Sequence, residues 1–513
     1  MSDNTQNNKR IAKNTLMLYI RMFITMGVAL YTSRVILKVL GVEDYGIFNV
    51  VAGVVSMLSF LNTSLSGATT RFLTYELGKG DRIKLNKTFS TSIAIHIALG
   101  LIIIVLLEAL GPWFINNKLS IPIDRLDASI IVFHFSVLTC FIQIVQLPYN
   151  AAIIAHEKMS AFAYISIIDV VLKLAIVYLL QVISIDKLIA YSVLFFIASF
   201  CTSLMYIVYA WHSFEECVLR PRYNKVIGKP IMSFSGWDLF GNLSVVVRSQ
   251  GLNILQNTFF GPIVNASTAI SNQVLTAIMG FSENFLTAVK PQITKYYAAD
   301  DLSSFIKLVI SSSRYCTLLL FLISFPILLE ANYILNLWLV EVPEYAVVFC
   351  QLSIVNNWIS IMFRPIVLGI HATGNIRKIS TINGLIYISV LPLSYVFLKN
   401  GASPAIPFIL NIILLIVAHT TVTLKVFKNN VRGFEISEFF VQSVLKSFIV
   451  IFLSSILPIL IHLYVDEGFY RLVICTIVSV LLVVSITYLI AVPNEDKYRI
   501  KMFVRKRYES SNE

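Results

Sequence analysis

This sequence predicts an all-α, polytopic membrane protein of about fourteen spans, and three observations predict it. Of its 513 residues, 57% are apolar and only 13% charged, with a mean hydropathy of +0.79; a soluble chain carries about twice that charged share. Apolar stretches follow one another from residue 14 to residue 492, without the polar linkers that divide a soluble chain of this length into domains. Each stretch has about the 19–30 residues of a tilted helix crossing a bilayer, well beyond the length of a barrel strand. Helices suit this setting because they satisfy their own backbone hydrogen bonds inside hydrocarbon. The composition excludes a soluble enzyme, a nucleic-acid-binding domain and a disordered scaffold.

The fourteen stretches lie at about 14–40, 46–75, 89–115, 127–150, 161–183, 188–212, 231–257, 265–290, 308–330, 345–371, 380–398, 405–424, 447–464 and 472–491. Their connections alternate in charge. Of 40 Lys and Arg, 26 fall in one set of connections, which includes both chain ends, 5 in the other (Lys118, Arg125, Lys187, Lys399, Arg471) and 9 inside the stretches. Basic connections stay in the cytoplasm, so both termini are expected there. The net charge of +12 is spread over short loops, a topology signal and not the single basic face that nucleic acid requires. No cleavable signal is expected, because the polar start MSDNTQNNKR runs into a span too long for a signal core. The six cysteines form no CxxC pair and read as packing residues. The seven histidines are isolated along the sequence.

The chain reads as a duplication. Residues 41–81 and 261–301 share their hydropathy at an offset of 220 without a gap. Each copy opens on a glycine (Gly41, Gly261) and ends on an aspartate (Asp81, Asp301). Spans 1–6 and 7–12 are then two copies of a six-helix unit in the same orientation, related by an axis along the membrane normal. The predicted domains are 1–212, a six-helix bundle; 213–230, a cytoplasmic linker; 231–426, a second bundle; and 427–513, two extra helices with a basic tail.

Polar stripes mark spans 1, 2, 7 and 8. Asn272, Thr276, Gly280, Glu283, Thr287 and Lys290 follow in steps of 4, 4, 3, 4 and 3, one face of a helix. Span 7 carries Asp238, Asn242, Ser249, Asn253 and Gln256, and span 1 carries Asn14, Arg21, Thr25 and Thr32. Such stripes face another helix or a water-filled cavity, not lipid. The 9 embedded cations (Arg21, Arg34, Lys38, Arg71, Lys173, Arg248, Lys290, Arg314, Arg364) outnumber the 5 embedded acids (Glu108, Asp169, Asp238, Glu283, Glu330). An uncompensated cation deep in a bilayer costs about 2.5–3.5 kcal/mol even on the lenient scale, so the surplus calls for water, headgroups or an anionic ligand. Asp169 and Lys173, four apart, can pair; Lys38, Lys290 and Glu330 lie near span ends, where they can snorkel. Walker, HExxH and nucleophile-elbow motifs are missing, and outer connections are short, the longest being Asn332–Glu344. The expectation is not an enzyme.

The segment Ser33–Asp81 (SRVILKVLGVEDYGIFNVVAGVVSMLSFLNTSLSGATTRFLTYELGKGD), with Arg34, Leu40-Gly41 and Tyr45-Gly46, resembles the amino-terminal signature of Wzx-type O-antigen and capsule flippases. These belong to the multidrug/oligosaccharidyl-lipid/polysaccharide exporter (MOP) superfamily. The resemblance implies a V-shaped, MATE-like pair of six-helix bundles in a bacterial inner membrane, with spans 1, 2, 7 and 8 lining a central cavity. It implies a lipid-linked oligosaccharide as cargo, flipped by alternating access, with a polysaccharide polymerase and chain-length machinery as partners beside membrane lipids and no nucleic acid. Peptidoglycan-precursor flippases and cation-coupled multidrug exporters of the superfamily are the alternatives, and a membrane polymerase or glycosyltransferase a more distant one. No cofactor or metal is expected, and H+ or Na+ would be the coupling ion. Arg21, Arg34, Arg71 and Arg248 are the expected diphosphate ligands, since guanidinium grips phosphate oxygens bidentately. Asp238, Asn242, Asn272, Thr276, Glu283 and Lys290 are the expected cavity and coupling residues.

Overall fold

The computed structural model describes residues 2–56, 59–118, 121–339, 341–493 and 497, and contains no strand among them. The chain ends beyond these, and the side chains of Arg34 and Lys38, lie outside the described residues. The long helices are α1 (Ser2–Ser56), α2 (Ser59–Lys79), α3 (Arg82–Lys118), α4 (Leu126–Ala155), α5 (Met159–Val182), α6 (Lys187–Ser213), α7 (Lys225–Phe260), α8 (Pro262–Ala298) and α9 (Leu302–Leu329). After the short α10 (Ala331–Trp338) come α11 (Ala346–Thr373), α12 (Arg377–Lys399) and α13 (Ile406–Val417), which a π-helical turn joins to α14 (Leu424–Asn430). The chain then forms α15 (Ile436–Phe439), a π-helical turn over Phe440–Leu445, α16 (Lys446–Tyr464), α17 (Phe469–Ile486) and a last π-helical turn over Thr487–Ala491.

Among the described residues, ten helical stretches are long and apolar enough to cross a membrane: Arg82–Asn117, Ile123–Ala155, Met159–Val182, Lys187–Ser213, Leu302–Leu329, Ala346–Thr373, Arg377–Lys399, Ile406–Asn430, Ile436–Tyr464 and Phe469–Ala491. The remaining long helices, α1, α2, α7 and α8, are those that carry the polar stripes. Two boundaries differ from expectation. The thirteenth predicted stretch begins at 447, but the helix starts at Ile436 and takes Lys446 inside it, because Ser437, Glu438, Gln442, Ser443 and Lys446 lower the hydropathy of residues 436–446. The long connection Asn332–Glu344 holds α10, an amphipathic helix too short to register as a span.

The repeat is visible in the backbone. Gly41 has φ 81 and interrupts α1; Gly261, at the offset of 220, has φ 75 and separates α7 from α8. Both values lie in the left-handed region that a Cβ disfavours. At the other end of the matched segments, Gly80 (φ 70) and Asp300 (φ 58) close their helices identically. Gly80 N donates to Leu77 O and Asp81 N to Glu76 O; Asp300 N donates to Tyr297 O and Asp301 N to Tyr296 O, at 3.0–3.3 Å. This pair of bonds satisfies the last free carbonyls of a helix. Gly78 and Ala298, also 220 apart, meet: a Cβ on Gly78 would come within 2.8 Å of the Ala298 Cβ. Only a residue without a side chain allows that approach.

Contacts divide the chain into two compact units, Met1–Leu243 with Thr287–Asp301, and Ser244–Leu286 with Leu302–Glu513. The division passes through α7 and α8, not along the connection 213–230. In the first unit α4 is central and packs on α2, α3 and α6, while α1 packs on α5. Its core groups Leu73, Phe89, Ile93 and Tyr149 near the basic end, and Val51, Val132, Phe133 and Val137 nearer the other. In the second unit α9 is central, with 67% of its apolar window buried against 17% for Phe469–Ala491. Phe321 and Phe325 of α9 meet Val483 of α17, so the two last spans lean on α9. Lipid is as apolar as leucine, so this burial contributes through close packing and hydrogen bonds, not through exclusion of water. The large apolar side chains left outside, such as Val105, Phe448, Phe452 and Leu481, suit a hydrocarbon surround.

The end opposite the basic connections is tied by Arg125, which bonds Asp44 at 2.7 Å and also bonds Asp186. Asp186 caps α6 through the amides of Leu188 and Ile189 at 3.0 and 3.1 Å. Partial burial raises its carboxyl, but the Ile189 amide and Arg125 outweigh this and hold it below the usual carboxylate range. A depressed folded value means that the contribution is complete above the unfolded value of about 3.9 and is lost as pH falls through the folded one. Thermal melts should therefore show an Asp186-dependent loss of stability only below about pH 4, absent from Asp186→Asn. Equal acid sensitivity of the two proteins would refute it.

Candidate functional site

In the first unit the expected cations rest on aromatic rings. The Arg21 guanidinium carbon of α1 lies 4.7 Å from the centre of the Phe162 ring of α5. Arg71 of α2 is buried beside Phe72 and Tyr75, at 4.6 and 4.8 Å. A ring face stabilises a cation through its quadrupole. On α7, Asp238 and Asn242 are one turn apart. Asn242 Nδ2 donates to Asp238 Oδ2 at 3.1 Å and to Ser64 Oγ of α2 at 2.9 Å. Gly67, one turn from Ser64, leaves room beside the same carboxylate: a Cβ there would stand 3.9 Å from Asp238 Oδ2. Lys290, half-buried, precedes Pro291 in α8.

In the second unit Arg248 of α7 donates to Asn411 Oδ1 of α13 at 2.7 Å, and Asn411 Nδ2 donates to Asn356 Oδ1 of α11 at 3.0 Å. The Arg248 guanidinium carbon is 5.0 Å from the Tyr387 ring centre of α12. Glu283 of α8 lies 3.7 Å from Arg364 Nε of α11, with both side chains about half exposed (45% and 51%). Asn272 and Thr276 are exposed on the same helix, and the Thr276 hydroxyl donates to the Asn272 carbonyl at 2.8 Å. Exposed Asn, Thr and Glu at helical spacing would be costly against lipid and suit an aqueous or polar-ligand surface. Back in the first unit, Asp169 and Lys173 pair at 2.8 Å as their spacing predicts, and Thr202 also donates to Asp169.

Several charged groups organise the molecule without having been singled out. The Glu157 side chain, at the α4–α5 turn, is fully enclosed, and it accepts from Arg10 Nε at 2.7 Å, Lys295 Nζ at 2.5 Å and Gln292 Nε2 at 2.7 Å. Asn14 Nδ2 donates to its carbonyl at 3.3 Å. One carboxylate thus ties α1, the α4–α5 turn and the end of α8 within the first unit. Its only mark in the sequence is that it is an acid in a connection otherwise expected to be basic. Glu330 is a correction: it does not snorkel but is fully buried, bonded by Arg471 Nη2 at 2.9 Å and His462 Nδ1 at 2.9 Å. Arg471, assigned by sequence to a loop, is buried with it. The histidines are likewise not isolated in space, since His134 meets Glu108 and His156 meets Glu216. All six cysteines are free thiols, and Cys201 alone of them is not buried. Among the described residues no group of three or more His, Cys, Asp or Glu is placed to hold a metal ion.

No protein-family profile matches the chain, and no curated protein does. Solved structures do. An outward-facing multidrug resistance MATE family transporter of the MOP superfamily superposes with a TM-score of 0.67 at 15% identity, over 83% of this chain and 96% of that one. A MOP superfamily transporter from Pyrococcus furiosus, described as having a binding pocket of reverse polarity that suggests a different function, gives 0.65 at 16% identity, over 84% and 96%. A MATE protein in its bent conformation gives 0.67 at 14%, over 83% and 95%. The fold is therefore MATE-like.

Proposed function

We propose that this protein is an exporter that moves a lipid-linked oligosaccharide, anchored by an isoprenoid diphosphate, from the cytoplasmic to the periplasmic leaflet of a bacterial inner membrane by alternating access. Its basic end would face the cytoplasm, as the 26-to-5 distribution of Lys and Arg implies. One observation carries the reading: in a MATE-like fold, the long helices that fall short of span-like apolarity among the described residues are α1, α2, α7 and α8, and these hold Arg21 and Arg71 on rings and Arg248 on a ring and an amide. Arginines on these helices suit an anionic cargo, because guanidinium grips phosphate oxygens bidentately. Arg21 lies seven residues, about 10 Å along the helix, from Asn14, where a headgroup arriving from the inner leaflet would meet it. Arg71 would share that opening, and Arg248 would receive the diphosphate later. The polar face of α8, Asn272 to Glu283, would contact sugar hydroxyls.

Deletion is expected to abolish surface polysaccharide while lipid-linked units accumulate on the cytoplasmic side. Arg21→Ala with Arg71→Ala should abolish export at normal protein abundance, and the Lys variants should retain part of it, because charge survives but the bidentate fork does not. Full export by the double Ala variant would end the proposal. A second reading, a cation-coupled multidrug exporter, is favoured by the half-exposed Glu283 and by Asp238 beside Asn242. It predicts drug sensitivity with intact polysaccharide on deletion, and loss of activity in Glu283→Gln.

A further inference from the structure

Three helices converge in the second unit where Leu318 of α9, Val450 of α16 and Ala491 after α17 form one buried cluster. One turn towards the basic end, α9 and α16 each present a cation. Arg314 precedes Leu318 by four residues, and Lys446 precedes Val450 by four. Both bond Gln442, Arg314 Nη1 to its backbone oxygen at 2.7 Å and Lys446 Nζ to its side-chain oxygen at 2.6 Å. A third cation joins them: Lys497 donates to the Leu489 carbonyl at 2.7 Å, in the turn that ends at Ala491. Among the described residues none of the three has a carboxylate partner. Arg314 is 4% exposed, and its Nε is buried with no acceptor. Both flanking turns, Phe440–Leu445 and Thr487–Ala491, are π-helical, a distortion that recurs at functional sites. Lys446 and Lys497 remain half-exposed.

Depth identifies the level. Lys446 is 18 residues from Tyr464, about 27 Å along a helix, close to the thickness of a hydrocarbon core of about 30 Å. The cations therefore stand at one headgroup boundary. Further along the same helices, an apolar groove of about 570 Å³ opens between α9, α10 and α17, lined by Leu322, Pro326, Ile334, Leu472, Ile477 and Val480. It begins eight residues beyond Arg314, about 12 Å. Phosphate chemistry at the cations followed by an apolar channel for a chain describes an amphiphile.

We infer that this junction of α9, α16 and the turn after α17 is a binding site for the phosphate of an anionic glycerophospholipid, with Lys446 and Lys497 on the headgroup, Arg314 behind them and an acyl chain along the α9–α17 groove. Among the described residues these three cations have no acid to offset their mutual repulsion, and a phosphodiester offers acceptors that the two partly exposed ammonium groups can use. This site is independent of the cargo cations on α1, α2 and α7.

The test uses the full chain, purified in detergent, with native mass spectrometry against phosphatidylglycerol, phosphatidylcholine and inorganic phosphate. Phosphatidylglycerol should be retained at least tenfold better than phosphatidylcholine, and inorganic phosphate at millimolar concentration should not displace it. Each lysine near an anionic headgroup is worth roughly a fivefold change in affinity, so Lys446→Gln with Lys497→Gln should lose about 25-fold. These two lysines are half-exposed, so the double variant should fold; Arg314→Gln, buried, is read only alongside its melting temperature. Equal retention of the two lipids, unchanged retention by the double variant, or displacement by inorganic phosphate would each overturn the assignment, the last by showing a site for a free anion.

Discussion

Glu157→Ala is expected to destabilise the protein by about 3–5 kcal/mol, the scale for stranding charges that lose a buried partner. The side chain of Glu157 is fully enclosed, while Lys295 is 24% and Arg10 44% exposed. Arg10 can turn to water and contributes little, as exposed pairs do. Lys295 and Gln292 cannot turn so freely, and most of the loss should come from them. Glu157→Gln keeps an acceptor oxygen and should fall between the two. Glu157 also has φ 58, a strained value for a residue with a Cβ, worth about 1–3 kcal/mol. Glu157→Gly relieves that strain and should melt above Glu157→Ala although both lack the carboxylate. Melting in detergent and membrane abundance read the series. Wild-type melting of Glu157→Ala would show that the cluster holds nothing together.

The second large effect is expected at Glu330. Arg471 Nε and Nη2 reach its Oε2 at 3.1 and 2.9 Å, and Arg471 Nη1 reaches the carbonyls of His462 and Val465 at 3.3 and 3.2 Å. This fork pins α16 and α17 to the end of α9. Arg471→Met leaves a buried carboxylate with His462 as its remaining partner, and about 3–5 kcal/mol should be lost. Glu330→Met with Arg471→Met removes both charges and should recover most of it, since well-packed apolar pairs replace buried ion pairs at little cost. Limited proteolysis in the connection between α16 and α17 reports the detachment directly. A double variant as unstable as the single one would mean that packing, not charge, is what matters there.

The repeat shows why some features are legible in sequence and others are not. Gly41 and Gly261, or Asp81 and Asp301, are local requirements: a left-handed residue and a helix end recur at a fixed offset because each depends on its own few neighbours. Hydropathy is local in the same sense, so ten of the apolar stretches coincide with long apolar helices among the described residues. It failed at Ile436–Lys446, where the helix enters through the interface with polar side chains.

Partnership is another matter. Asp169 and Lys173 pair four residues apart on one helix and could be read directly. Glu157 and Lys295 are 138 residues apart, Glu330 and Arg471 141, Arg248 and Asn411 163, and no spacing rule reaches that far. What the sequence alone determined is the all-helical membrane class, the duplication and the four polar helices, because a bilayer tests each stretch of about twenty residues separately for apolarity. Which embedded charges are stapled and which rest on rings was decided by tertiary structure. Coulomb energy in a low-dielectric interior depends on a few ångströms of separation, and only the packing of distant helices sets those.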